Sequence, residues 1–210
     1  MNGLDALSEQ IHAGLRAKNT ARDKALEQSR TLIRYCSLAI RAVHRDEMPL
    51  AKEQLEQARA QAQTLREGLA AYPDLYFAGY TQDALKEFSE ASIVFALVAE
   101  SPLPRPEEIG VDVAPYLNGL GEAASEMRRR CLDLLRKGDF AGAEKFLGVM
   151  DDIYSVLVTM DYPDALTGGL RRTTDLVRGV SERTRGDLTL SLRLESAERA
   201  AAELERALNK

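Results

Sequence analysis

Two glutamates stand three residues apart at the head of an apolar run, in KEFSEASIVFALV from Lys86 to Val98. On a helix, Glu87 and Glu90 flank a stripe made by Ala91, Val94, Leu97 and Val98, with Leu85, Phe88, Phe95 and Ala99 on the other side. A helix apolar nearly all round is a buried one. A carboxylate carried into such a place is costly unless paired, hydrogen-bonded or bound to a metal. Two neighbours repel, and a cation between them relieves both costs. Spacing alone leaves a commoner alternative open, with both acids on exposed first turns, where negative charge favours a helix N-terminus. Two further acids lie on or beside apolar stripes. Asp151, in GVMDDIYSVL, shares a face with Leu147, Met150, Tyr154 and Val158, whereas Asp152 falls beside Gly148, Ser155 and Val156 on a more exposed side. Glu126, in SEMRRRCLDLL, lies next to Leu120, Met127, Cys131 and Leu134. Each acid alone suits a solvated or salt-bridged role; together they offer the oxygen donors that Mg²⁺ or Mn²⁺ prefers.

The sequence contains no G-x-x-x-x-G-K-[ST], G-x-G-x-x-G or H-E-x-x-H. His12 and His44 are the only histidines and both fall in the first helical segment, which argues against a Ser-His-Asp or zinc mechanism. Carboxylates with a divalent metal are the catalytic chemistry left, and they suit attack of water on a phosphodiester. The net charge of −5 argues against indiscriminate coating of nucleic acid but leaves room for a basic face. Arg30, Arg34, Arg41, His44 and Arg45 cluster in the first helix, Arg128 to Arg130 in the fourth, and Arg171, Arg172, Arg178, Arg183 and Arg185 in the sixth. Arginine forks suit phosphates; solvated faces paired with the many glutamates fit equally well.

The elements that must position these groups are helical. Ala, Leu, Glu and Arg dominate, aromatics make up 6 % and Trp is absent, a mix that favours helix over sheet. Helices are expected at about Leu4–Arg45, Pro49–Ala71, Gln82–Glu100, Val113–Lys137, Ala141–Met160 and Leu166–Arg185. In GDLTLSLRLESAE the leucines at 188, 190, 192 and 194 alternate as in a strand, but a lone strand has no partner and AERAAAELERAL follows, so helix is expected. SPLPRPEEIGVD, with three prolines, is the strongest break and is read as a loop within one domain, since neither half alone makes a complete core. The expectation is an all-α, single-domain bundle of about seven helices over residues 1–210. No stretch approaches the roughly 20 apolar residues that span a bilayer. MNGLDALSEQ has no apolar signal segment, and Cys36 and Cys131 read as reduced, buried thiols. A soluble, cytoplasmic protein with no membrane partner is expected.

From Asp161 to Arg193, DYPDALTGGLRRTTDLVRGVSERTRGDLTLSLR, the chain resembles the translin family, whose prokaryotic members carry a Y-P-D-A loop, a G-L-R-R helix start and E-x-T-R-G-D-L-T. KEFSEA resembles the Q-E-Y-V-E-A element of the translin-associated factor X branch, and YLNGLGEAASEMRRRC its Y-L-L-G-x-x-D-x-x-G-E-L-M-R-x-C helix. KGDFAGAEKFL resembles the family's linker before its penultimate region. The resemblance covers most of the chain and is weakest in the first helix. It implies an all-α fold assembling into hollow, octamer-like shells that bind single-stranded RNA or DNA. In the factor X branch it implies a metal-dependent endoribonuclease, with Mg²⁺ or Mn²⁺ as cofactor. Carried over, the catalytic and metal-binding acids are Glu87, Glu90 and, by matching VMDDI to V-Y-D-G-F, Asp151; Glu126, from its place beside the apolar stripe and not from the family motif, is expected as a fourth ligand or an outer-shell acid. Arg30, Arg34, Arg41, His44, Arg45, Arg171, Arg172 and Arg178 are the expected nucleic-acid contacts. Translin itself lacks the full acid set and binds without cutting, which makes a non-catalytic single-stranded RNA/DNA-binding protein the alternative. Lys86 in place of Gln and Asp152 in place of Gly are departures from the factor X pattern.

Overall fold

The computed structural model describes residues 2–209. Among them there are nine α-helices and no strand. In chain order they are α1 (Asn2–His44), α2 (Met48–Gly68), α3 (Pro73–Tyr76), α4 (Gly79–Val98), α5 (Pro106–Ile109), α6 (Val113–Arg136), α7 (Phe140–Leu157), α8 (Asp164–Thr167) and α9 (Leu170–Leu208). The all-α expectation holds. The long helices fall where the apolar periodicity puts them, and three one-turn helices occupy the expected connections. Pro starts two of these, α3 and α5, and Pro49 lies in the first turn of α2, where its fixed φ and missing N–H are harmless.

One element differs. The expected sixth helix and the segment behind it are a single helix, the 39-residue α9. Gly186 lies inside it without breaking it, since a mid-helix glycine costs only about 1 kcal/mol. The alternating leucines are not a two-faced burial pattern: Leu188 is buried, while Leu190, Leu192 and Leu194 are exposed.

Contacts group the chain into two compact units, one up to Gly119 and one from Leu120 onward, with the boundary inside α6. In the first unit α1 packs along α2 and α4, and α2 also meets α4. Leu32, Cys36, Ala39 and Val43 of α1, Ala51, Ala58, Ala62 and Leu65 of α2, and Leu85, Phe88, Ile93 and Val94 of α4 are among its buried residues. The alanines of α2 remove side-chain bulk and let the helices approach closely. In the second unit α7 packs on α9 and α8 abuts the start of α9, with Phe146, Met150, Leu157, Val177 and Leu188 buried. Asp139 caps α7 by accepting from the Gly142 N–H at 2.9 Å. Arg128 donates to Thr184 Oγ1 at 2.9 Å and pairs with Asp187 at 2.9 Å, tying this part of α6 to α9. No helix among the described residues is long and apolar enough to cross a membrane.

Candidate metal centre

Glu87 and Glu90 lie about 60° apart around α4, so the helix turns both carboxylates toward one side. Glu90 is 8 % exposed and Glu87 half-buried. Exposed first turns therefore do not describe this pair. Around them α4 is lined with small side chains, Ser89, Ala91 and Ser92, and the serine hydroxyls turn back to the carbonyls of Leu85 and Phe88 rather than projecting outward. Cys36 of α1 packs nearby and is fully buried. Burial first, then the charges of Glu87 and Glu90, push its thiol far above the usual range, so it stays a protonated, inert neighbour of the acid pair.

α6 crosses this stretch of α4 at Gly119. A Cβ on Gly119 would stand 2.7 Å from the Lys86 carbonyl oxygen, 2.7 Å from Ser89 Cβ and 2.9 Å from the Glu90 nitrogen. Only a residue without a side chain allows the two helices to come this close. Glu122 is one turn further along the same unbroken helix, on the face that Gly119 presents. Ligand oxygens of Glu87, Glu90 and Glu122 all lie within 4.8 Å of one another. Carboxylates this close repel one another, and a small divalent cation held between them would lower that repulsion. All donors in the group are carboxylate oxygens, a set that fits Mg²⁺, Mn²⁺ or Ca²⁺ rather than the nitrogen- and sulfur-bound metals.

The other residues singled out by sequence are placed as follows. Asp151, on α7, is half-buried and accepts from Arg185 Nη2 of α9 at 2.5 Å, while Asp152 is exposed. Glu126 is half-buried one turn beyond Glu122. Arg30, Arg34 and Arg41 are exposed and, at 100° per residue, fall within a sector of about 40° on α1, and Arg45, just past the end of that helix, is exposed as well, which gives α1 a basic edge. His44 is half-buried beside that edge. On α9, Arg171 pairs with Asp161 at 3.0 Å and Arg178 approaches Asp175 at 4.0 Å, while Arg172 is exposed.

No family model matches the chain. It is 30 % identical over 173 residues to an uncharacterised protein of Methanocaldococcus jannaschii, spanning 81 % of this chain and 76 % of that one. Among solved structures it superposes on AfC3PO in a duplex RNA complex with a TM-score of 0.82 at 29 % identity, covering 89 % of this chain and 96 % of the other. A second structure, the crystal structure of AfC3PO, gives 0.81 at 29 % identity, over 89 % and 97 %. AfC3PO and NeC3PO are translin-family proteins. The chain belongs to the translin family. The likeness to apo-NeC3PO, TM-score 0.80 at 23 % identity over 87 % and 96 %, extends the shared fold.

The family resemblance also contains the signal for Glu122, which sequence reasoning passed over. The translin-family helix Y-L-L-G-x-x-D places an acid three residues after its glycine, and YLNGLGE places Glu122 three residues after Gly119. Read by periodicity alone, Glu122 points away from the stripe of Leu120, Met127 and Cys131 and so passes for a solvated residue. The glycine is what makes that second face of α6 a contact face.

Proposed function

We propose that this translin-family protein is a metal-dependent endoribonuclease acting on single-stranded RNA within a homo-oligomeric shell. The observation that carries the reading is the convergence of Glu87, Glu90 and Glu122 within 4.8 Å. These residues would hold Mg²⁺ or Mn²⁺, which when bound would activate water and neutralise charge on a phosphodiester. The protein's own contributions are distinct from that. Glu90, buried, fixes one donor; Cys36, held neutral, adds no competing charge; and Gly119 sets the spacing between α4 and α6. Glu126 and Asp151 stand as additional acids, Glu126 one turn from Glu122 and Asp151 in its ion pair with Arg185. The basic edge of Arg30, Arg34, Arg41 and Arg45, with His44, supplies phosphate contacts, a salt-sensitive contribution; Arg171, Arg172 and Arg178 add to it. The likeness to AfC3PO, whose structure is that of a duplex RNA complex, supports an RNA ligand.

Self-association is supported by two unpartnered stripes. Leu4, Leu7, Ile11 and Leu15 share one exposed face of α1, and Leu190, Leu194, Leu204 and Leu208 one exposed face of α9. Aligned leucines at helical spacing on exposed faces suit helix–helix contacts between copies, in an octamer-like shell. The same residues without cleavage would make a non-catalytic RNA- or DNA-binding shell. Labelled single-stranded RNA incubated with pure protein, with Mg²⁺ or with chelator, separates the two. Cleavage that requires metal and is lost in Glu90→Gln supports the nuclease. RNA binding with no cleavage under Mg²⁺ or Mn²⁺ sinks it.

A further inference from the structure

Away from the acids, the segment YPDLYFAGY joins α2 to α4 and exposes an aromatic ring. Phe77 is 65 % exposed, yet its surroundings are fixed. Pro73 starts the one-turn helix α3, and Asp74 pairs with Lys18 of α1 at 2.5 Å, which holds its carboxyl below the usual range. The Tyr76 hydroxyl donates to Asp112 Oδ2 at 2.8 Å, and Gln82 donates to the Tyr76 carbonyl at 2.9 Å. Phe77 stands edge-to-face against Tyr76, with centroids 4.9 Å apart and planes at 80°. An open groove of about 410 Å³ runs beside the ring, with Leu69, Ala70 and Pro73 on its wall and Arg66 and Glu67 at its edge. The Arg66 guanidinium lies against Gly110, whose φ of +66° and missing side chain make the room: a Cβ there would stand 1.6 Å from Nη1. No carboxylate pairs with this guanidinium among the described residues, and the nearby Glu67 accepts from Gln63 at 2.8 Å.

An exposed ring on a rigid mount, an apolar wall and an unpaired guanidinium make the combination that receives an unpaired nucleotide: a π-face for the base and a fork for its phosphate. We infer that the Phe77–Arg66 groove is a nucleotide subsite in which Phe77 stacks an unpaired base of a bound RNA strand and Arg66 holds the adjoining phosphate. The inference rests on the RNA-binding part of the function proposed above and names where a strand is gripped apart from the acids. A second groove of about 290 Å³ shares Leu69 with the first and is edged by Thr20, Lys24 and Tyr72. It continues the track with another cation and another aromatic side chain for the next nucleotide.

The chain contains no tryptophan, so Phe77→Trp installs a single reporter at the stacking position. Titration in EDTA with a fluorescein-labelled single-stranded 20-mer and its abasic analogue, read by anisotropy, is the measurement. Phe77→Ala is expected to weaken binding of the base-bearing strand roughly tenfold or more, with little effect on the abasic one. Arg66→Gln is expected to lower the salt slope of log K by about 0.7, the share of one phosphate. Indole emission of the Phe77→Trp variant is expected to quench as unlabelled RNA of the same sequence binds. Equal affinity of Phe77→Ala and wild type, or unquenched emission on saturated protein, overturns the subsite while leaving RNA binding intact. A fall in oligomer mass for Phe77→Ala in sedimentation overturns it in favour of a contact between copies. Absence of any RNA affinity in the wild type at low salt overturns both this subsite and the function beneath it.

Discussion

Replacing Gly119 with alanine tests how the acids are brought together. The new methyl would lie 2.7 Å from the Lys86 carbonyl oxygen and Ser89 Cβ, where ordinary contact begins at 3.4 Å, so about 0.7 Å must be opened. Two of the three nearest atoms are backbone, which no rotamer change moves aside. The helices themselves must separate. Overpacking of this kind costs about 1–3 kcal/mol. For a chain of this length that lowers Tm by roughly 2–12 °C. The same separation draws Glu122 away from Glu87 and Glu90 and weakens divalent-metal binding. Gly68→Ala is the control: its methyl meets only Gln28 Oε1 at 3.8 Å, so Tm holds or rises. Thermal unfolding by circular dichroism and a Mn²⁺ titration provide both readouts. Gly119→Ala with unchanged Tm and unchanged Mn²⁺ affinity would refute the close-approach argument.

Asp139→Ala removes the cap of α7 and should lower stability by about 0.5–2 kcal/mol in denaturant titration, with Asp139→Asn or Asp139→Ser recovering most of it. Arg128→Ala leaves the buried Thr184 hydroxyl with only its bond to the Val180 carbonyl and Asp187 without its partner, and should cost about 1–3 kcal/mol in the same assay. Tyr76 has its phenol pushed up to about 12, by burial first and then by Asp112, from an ordinary value near 10. The folded state thus favours the neutral phenol, and its contribution is complete below about pH 10 and lost as pH rises through 12. Melting scans across that window should fall less steeply in Tyr76→Phe; an identical slope would remove Tyr76 from the account. Tyr116, also raised by burial, leaves a residual slope.

The helices were legible because their apolar faces repeat at helical spacing and their ends carry proline, glycine or a capping aspartate. The α4 pair was legible because Glu87 and Glu90 interrupt a run that is otherwise apolar. Glu122 was not, since its face of α6 carries no apolar stripe; what draws it in is the absence of a side chain at Gly119, a steric fact that periodicity does not register. Asp151 drew notice for interrupting an apolar stripe, and the structure shows how that is tolerated, through Arg185 thirty-four residues later. The leucines of GDLTLSLRLESAE imitate a strand by their period, but three of the four face outward, where no intramolecular packing selects their spacing. Phe77 gave no periodic signal either, because it sits in a connection whose geometry depends on Asp112, thirty-six residues beyond Tyr76.

The most direct test of the central claim is Mn²⁺ binding followed by electron paramagnetic resonance, on wild type, Glu90→Gln, Glu122→Gln and Asp151→Asn. A site built by Glu87, Glu90 and Glu122 predicts that Glu90→Gln and Glu122→Gln each weaken binding at least tenfold while Asp151→Asn binds like wild type. Undiminished binding in Glu122→Gln, with loss in Asp151→Asn, would contradict it.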